Sequence, residues 1–203
     1  MASISLNSFL LNTKKELVLE IDTKLAPSVV TISQDGVQVT VGNDRQAEVV
    51  LFYFNMMPYL HTAQLNEDAL IGARDGFGAG AISAYDVYKV AKALESAQHS
   101  LADQVFAANA PRDLGDAKDV LWQALENHGD AAGHIAEYVN TLDYQELSQA
   151  ETDLAEAEDY LKAGLADIFG ESQASGLDPV DLTYYVECEP AEPGCRLVVP
   201  ATD

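Results

Sequence analysis

The sequence predicts an α+β fold with an N-terminal antiparallel sheet, helices from the centre towards the C-terminus, and a C-terminal β-hairpin. Three observations predict it. Residues 1–60 hold short apolar and β-branched runs separated by turn formers, so they are expected to be mainly strands. From about 83 to 170 the apolar residues recur every three or four positions, the spacing of a helix. Beyond Gly176 the strand pattern returns over 182–199. The 203 residues fit one domain, 1–203, and 48% apolar content is enough for a core.

Residues 3–11, 16–21, 28–33 and 37–41 read as short strands. Leu17–Ile21 and Val37–Val41 alternate or are β-branched, and Asp35-Gly36 is a hairpin signal because glycine tolerates φ > 0. Val49–Phe54 is the most apolar run. Its β-branched and aromatic content favours a buried strand, with a buried helix as the alternative, and Pro58 is expected to end either. Ser83 and Asp86 form an S-x-x-D helix start, after which Val87, Val90, Ala91 and Leu94 share a face. Shorter helices are expected near 100–108, 116–127 and 130–142, punctuated by Pro111, Gly115 and Gly129.

The longest helix is expected over 144–169. Leu147, Leu154, Leu161 and Ile168 repeat every seven residues and are joined by Ala150, Ala157 and Leu165. Such a stripe belongs to an intramolecular core or to the seam of a homodimer. Asp153, Glu156, Asp159 and Asp167 are expected on the opposite, solvent-facing side. The final hairpin would pair Leu182–Val186 with Arg196–Val199 around Cys188 and Cys195. These cysteines are either free thiols or a small disulfide loop, depending on compartment.

No sequence motif specifies a catalytic reaction. Gly76-Phe77-Gly78-Ala79-Gly80 precedes a helix but lacks phosphate-loop spacing and a following Gly-Lys-Ser/Thr, so it is expected to be a connector. Glu126, His128, Asp130, His134 and Glu137 form the densest metal-capable group, and His128, His134 and Glu137 are its candidate ligands for a metal-dependent enzyme. Gly129 and Gly133 interrupt it and no His-Glu-x-x-His pattern exists, which favours surface polar residues instead. No cofactor is implied.

The charge is lopsided. Residues 101–203 carry 22 of the 33 Asp/Glu and 4 of the 11 Lys/Arg, within a formal net charge of −22. This field repels nucleic acid and anionic membranes and attracts basic proteins. The start of the chain lacks a charged and then long apolar signal pattern, and no apolar run approaches a membrane span, so a cytoplasmic location is expected.

The composition resembles that of the acidic decoys with which phages and plasmids resist restriction or CRISPR nucleases. It is similar also to that of immunity proteins that neutralise nuclease toxins. No motif is shared with either group. This resemblance of character implies a DNA mimic or immunity-type inhibitor that occludes a basic nucleic-acid-handling protein by protein–protein interaction. The residues expected to meet such a partner are Asp153, Glu156, Asp159, Asp167, Tyr160, Tyr144, Asp116 and Asp119. A surface that serves only solubility or a high-salt environment would have the same composition.

Overall fold

The computed structural model describes residues 41–177 with their side chains. Ahead of them it describes the backbone of four five-residue strands, β1 (Ala2–Leu6), β2 (Leu17–Ile21), β3 (Val30–Gln34) and β4 (Val37–Val41). These pair antiparallel in the order β1-β2-β3-β4, with Ile4, Leu19, Ile32 and Val39 in one register row. Of the residues described in full, 88% are helical, and four helices rather than a sheet build the core. The α+β class expected from sequence is therefore corrected to a helical one. The expected hairpin at 182–199, with Cys188 and Cys195, lies outside the described residues.

The helices are α1 (Asp44–Gly78), α2 (Ala84–Ala107), α3 (Gly115–Thr141) and α4 (Tyr144–Ala174). Each packs on its sequence neighbour, and α1 also meets α4. Short connections, one holding a 3-10 turn at Arg112–Leu114, turn the chain back each time. Among the described residues no helix is long and apolar enough to cross a membrane.

The run Val49–Phe54, expected as a strand, is the interior of α1. Asn43 starts this helix by accepting a hydrogen bond from the Gln46 backbone N–H at 2.9 Å. Val49, Val50, Phe52, Tyr53 and Phe54 are all buried. A helix enclosed on several sides is apolar all round, so its 3.6-residue period disappears from the sequence. Pro58 does not end it. The missing N–H and ring clash cost about 3 kcal/mol. Burial of Phe54, Met56 and Leu60 on both sides offsets that, at roughly 1.5–3 kcal/mol per large apolar side chain.

The short helices expected over 100–142 are corrected too, because α2 and α3 are continuous through them. Gly129 lies within α3 and does not break it, since helix α2 approaches there. A Cβ on Gly129 would sit 2.6 Å from His99 Cε1, and one on Gly164 of α4 would sit 2.7 Å from Leu121 Cδ2. These glycines let neighbouring backbones come close. The Gly76–Gly80 stretch is the C-terminal turn of α1, closed at Gly80 with φ +70°. Ser83 starts α2, accepting from the Asp86 N–H at 3.2 Å and donating to the Asp86 carboxylate at 2.7 Å.

Two apolar clusters fill the bundle. One joins the first half of α1 to Leu114, Leu121, Leu125, Leu161 and Ile168. The other joins Leu70 and Ala73 to Val87, Ala91, Ile135 and Ala150. A polar belt lies between them. Asn66 donates to Gln98 (3.4 Å), Gln98 donates to the Ala63 carbonyl (3.1 Å), and Asn127 donates to Glu156 (3.3 Å). Near the first cluster, Arg45 ties α1 to α4 and to the 3-10 turn through Glu171 (2.7 Å) and Asp113 (3.1 Å). Its hydrogen bond to Glu171 raises the guanidinium pKa, against the opposing effect of burial.

Candidate functional site

Helix α4 carries eight Asp/Glu and one Lys in 31 residues. Asp143 caps it by accepting from the Gln145 N–H at 2.9 Å. Its apolar stripe is turned inward: Ala150, Ala157, Leu161, Leu165 and Ile168 are buried, and Leu147 and Leu154 pack partly buried against the second cluster. That stripe is used within the chain, the first of its two expected alternatives. The opposite side faces solvent, with Glu156, Asp159 and Asp167 outward and Glu151 and Glu158 along the flank. Lys162 is paired with Glu158 at 2.7 Å, and this hydrogen bond raises its pKa.

Seven of the eight expected partner residues are exposed. Glu156, Asp159, Asp167, Tyr160 and Tyr144 lie on α4, and Asp116 and Asp119 near the start of α3. The turn of α3 next to them, Ala117–Leu121, packs against Gly164, so the start of α3 adjoins the second half of α4. Asp153 is the exception and is corrected: it is only 9% exposed. Three residues past Ala150 places it roughly 60° round the helix from the stripe, close enough for α3 to cover it. Its Oδ1 accepts from Gln149 Nε2 at 2.8 Å, and its Oδ2 lies 3.6 Å from His134 Nε2. Glu151 and Glu158 were missed, although their seven-residue spacing and acidic character were visible in the sequence.

The candidate metal ligands do not converge. His134 Nδ1 lies 2.6 Å from Glu146, on α4. His128 is buried against α1, its Nε2 3.2 Å from Glu67, and makes no hydrogen bond among the described residues. The six residues between the two histidines send them towards different helices. Glu137 is exposed and joins neither. Glu126 and Asp130 face His99, at 3.1 and 3.7 Å, instead. Among the described residues no three His, Cys, Asp or Glu side chains form a metal-holding group. The imidazole–carboxylate pairs link α3 to each of the other helices.

A second surface feature was not anticipated. Where α1 and α3 end and α4 begins, a cleft of about 390 Å³ is lined by Arg74, Asp75, Phe77, Tyr138, Leu147 and Glu151, among others. Phe77 meets Tyr138 edge-on at 6.1 Å, and Tyr138 meets Tyr144 at 5.7 Å. Burial, then the charge and hydrogen bond of Tyr144, raise the Tyr138 pKa above the usual tyrosine value. Beside it, Leu142 closes α3 in the left-handed conformation, φ +57°. Local sequence patterns could not show which helix ends meet.

No family model matches the chain, and neither curated proteins nor solved structures include a significant match to it.

Proposed function

We propose that this chain is a non-catalytic binding protein that captures a basic, nucleic-acid-handling protein on the α4 face and occludes its nucleic-acid surface. The observation that carries this reading is the solvent side of α4, where five exposed carboxylates share one helix with a single, already paired lysine. Exposed Tyr160 and Tyr144 offer contact area with little conformational entropy to lose.

Magnitudes separate charge complementarity from strict mimicry. Eight carboxylates over about 46 Å of helix are roughly one per 6 Å. Duplex DNA carries one charge per about 1.7 Å. The α4 surface is therefore too sparse to imitate a duplex alone. It suits a partner drawn in electrostatically and then held by a few apolar anchors. One observation favours the plain solubility reading: exposed carboxylates also occur on the other helices, such as Asp44, Glu48 and Asp68 on α1, Asp86 and Asp103 on α2, and Asp130 and Glu137 on α3.

Capture from cell lysate at low and high salt, by the chain and by a variant with Glu151, Glu156, Glu158, Asp159 and Asp167 changed to their amides, starts the test. A captured protein is then purified and assayed for nucleic-acid binding with and without the chain. The expected result is a basic protein retained at low salt by the unmodified chain only, whose nucleic-acid binding the chain suppresses. Equal retention by the variant, or a captive that still binds nucleic acid in the complex, would overturn the proposal.

A further inference from the structure

We propose that the cleft between the ends of α1 and α3 and the start of α4 seats an arginine side chain of the partner protein. This rests on the reading of the chain as a binder of a basic protein, and it identifies where one of that protein's side chains docks.

The features of this corner make little sense for the isolated chain. Leu142 is the single non-glycine residue with positive φ among the described residues, yet its side chain is 60% exposed. A residue with a Cβ in that conformation costs roughly 1–2 kcal/mol, and glycine is the usual solution at a helix end. Here neither the strain nor the exposed apolar surface is offset by burial. Tyr144, two residues on, is 73% exposed and adjoins the cleft through its ring contact with Tyr138, which lines the cleft and meets Phe77. Strain and exposed aromatic surface in one place mark a contact completed by another molecule.

Charge selects the occupant. Arg74 is held by its neighbour Asp75, at 3.0 Å through Nε and 2.9 Å through Nη2, so it does not compensate Glu151 across the cleft. Neither α1 nor α3 has a basic residue in its last turn, so two helix carbonyl ends lack a cation where one is favourable. Both features repel an anionic ligand. Aromatic rings beside a carboxylate suit a cation, and guanidinium more than ammonium. Its plane stacks on tyrosine and its paired N–H groups meet a carboxylate two at a time.

The test uses hexa-arginine and hexa-lysine peptides, titrated into the full chain by calorimetry at moderate salt. Three proteins are compared: the unmodified chain, Tyr144→Ala with an intact helical circular-dichroism spectrum, and Glu156→Gln/Asp159→Asn/Asp167→Asn. Stacking on an exposed ring predicts that the unmodified chain prefers arginine over lysine by about two- to fivefold. Tyr144→Ala should remove that preference. The α4 triple variant should weaken both peptides while keeping it. If Tyr144→Ala proves unfolded, Glu151→Gln replaces it with the same expectation. Equal affinity for the two peptides, or a preference that survives Tyr144→Ala, would overturn the cleft proposal and leave the acidic-capture reading standing. Absence of binding by either peptide would overturn both.

Discussion

Replacing Gly164 or Gly170 by alanine makes the same chemical change twice on α4, six residues apart, and the structure predicts different outcomes. Alanine exceeds glycine in helix propensity by about 1 kcal/mol at both positions. At Gly170 no atom lies within 4 Å of the new Cβ, so Gly170→Ala should stabilise by close to that amount. At Gly164 the Cβ would lie 2.7 Å from Leu121 Cδ2, 2.8 Å from Leu121 Cγ and 3.2 Å from the Ala117 carbonyl oxygen. Comfortable carbon contacts need about 3.5–4.0 Å. Leu121 is fully buried and the carbonyl is backbone, so either a core side chain leaves its rotamer or α3 and α4 separate. Such overpacking costs roughly 1–3 kcal/mol. The propensity gain is common to both variants and cancels in the comparison. Gly164→Ala should therefore be less stable than Gly170→Ala by roughly 1–3 kcal/mol. Urea unfolding followed by helical circular dichroism, with equal slopes in both variants, measures this directly. Equal stabilisation by the two substitutions would show that α3 and α4 are not in close contact, and the packing described above would fail.

Three further predictions address charge and burial. Tyr138 has its pKa raised in the folded chain, so its stabilising contribution is complete below the ordinary tyrosine value near 10 and is lost as pH rises through the folded value. Ultraviolet titration should show Tyr138 ionising late, and Tyr138→Phe should flatten the alkaline loss of stability; an unchanged alkaline profile would refute this. Added monovalent salt should raise the thermal midpoint by screening a net charge of −22, and a midpoint indifferent to salt would mean the carboxylates do not repel appreciably. His128→Leu removes the imidazole 3.2 Å from the mostly buried Glu67, which keeps Gln64 Nε2 as a donor at 3.3 Å, and should cost about 1 kcal/mol or less. Adding Glu67→Met should recover part of that loss in a double-mutant cycle, and strict additivity would show that the two side chains do not interact.

Features set by neighbours in sequence were legible, and features set by neighbours in space were not. The start of α2 followed from Ser83 and Asp86, whose cap needs only four consecutive residues. The buried face of α4 followed from its seven-residue apolar repeat, because a helix with one covered side keeps its period. Helix α1 was misread because Val49–Phe54 is enclosed on several sides and carries no period to detect. Pro58 misled for a related reason, since the burial that offsets its cost comes from other helices. Gly129 read as a helix breaker because the His99 ring it accommodates is thirty residues away. The acidic face was legible as a composition, but its edge was not: Asp153 lies at the margin of the stripe, and the position of α3 decides that it is covered. The cleft at Phe77, Tyr138 and Leu147 joins three helix ends, which no local pattern contains.

The most direct test of acidic capture is the association rate between the chain and a purified basic captive, measured by stopped flow across a range of salt. It compares the unmodified protein with the amide variant of Glu151, Glu156, Glu158, Asp159 and Asp167. Asp153 is left in place because it is buried and faces His134. Individual exposed ion pairs contribute only about 0–1 kcal/mol, so the face must act collectively and mainly on the rate of encounter. The account predicts that association slows steeply with salt for the unmodified chain. The variant at low salt should already be as slow as the unmodified chain at high salt, with dissociation changed much less. Identical association rates for the two proteins, with the same salt dependence, would contradict it and assign the α4 face to solubility.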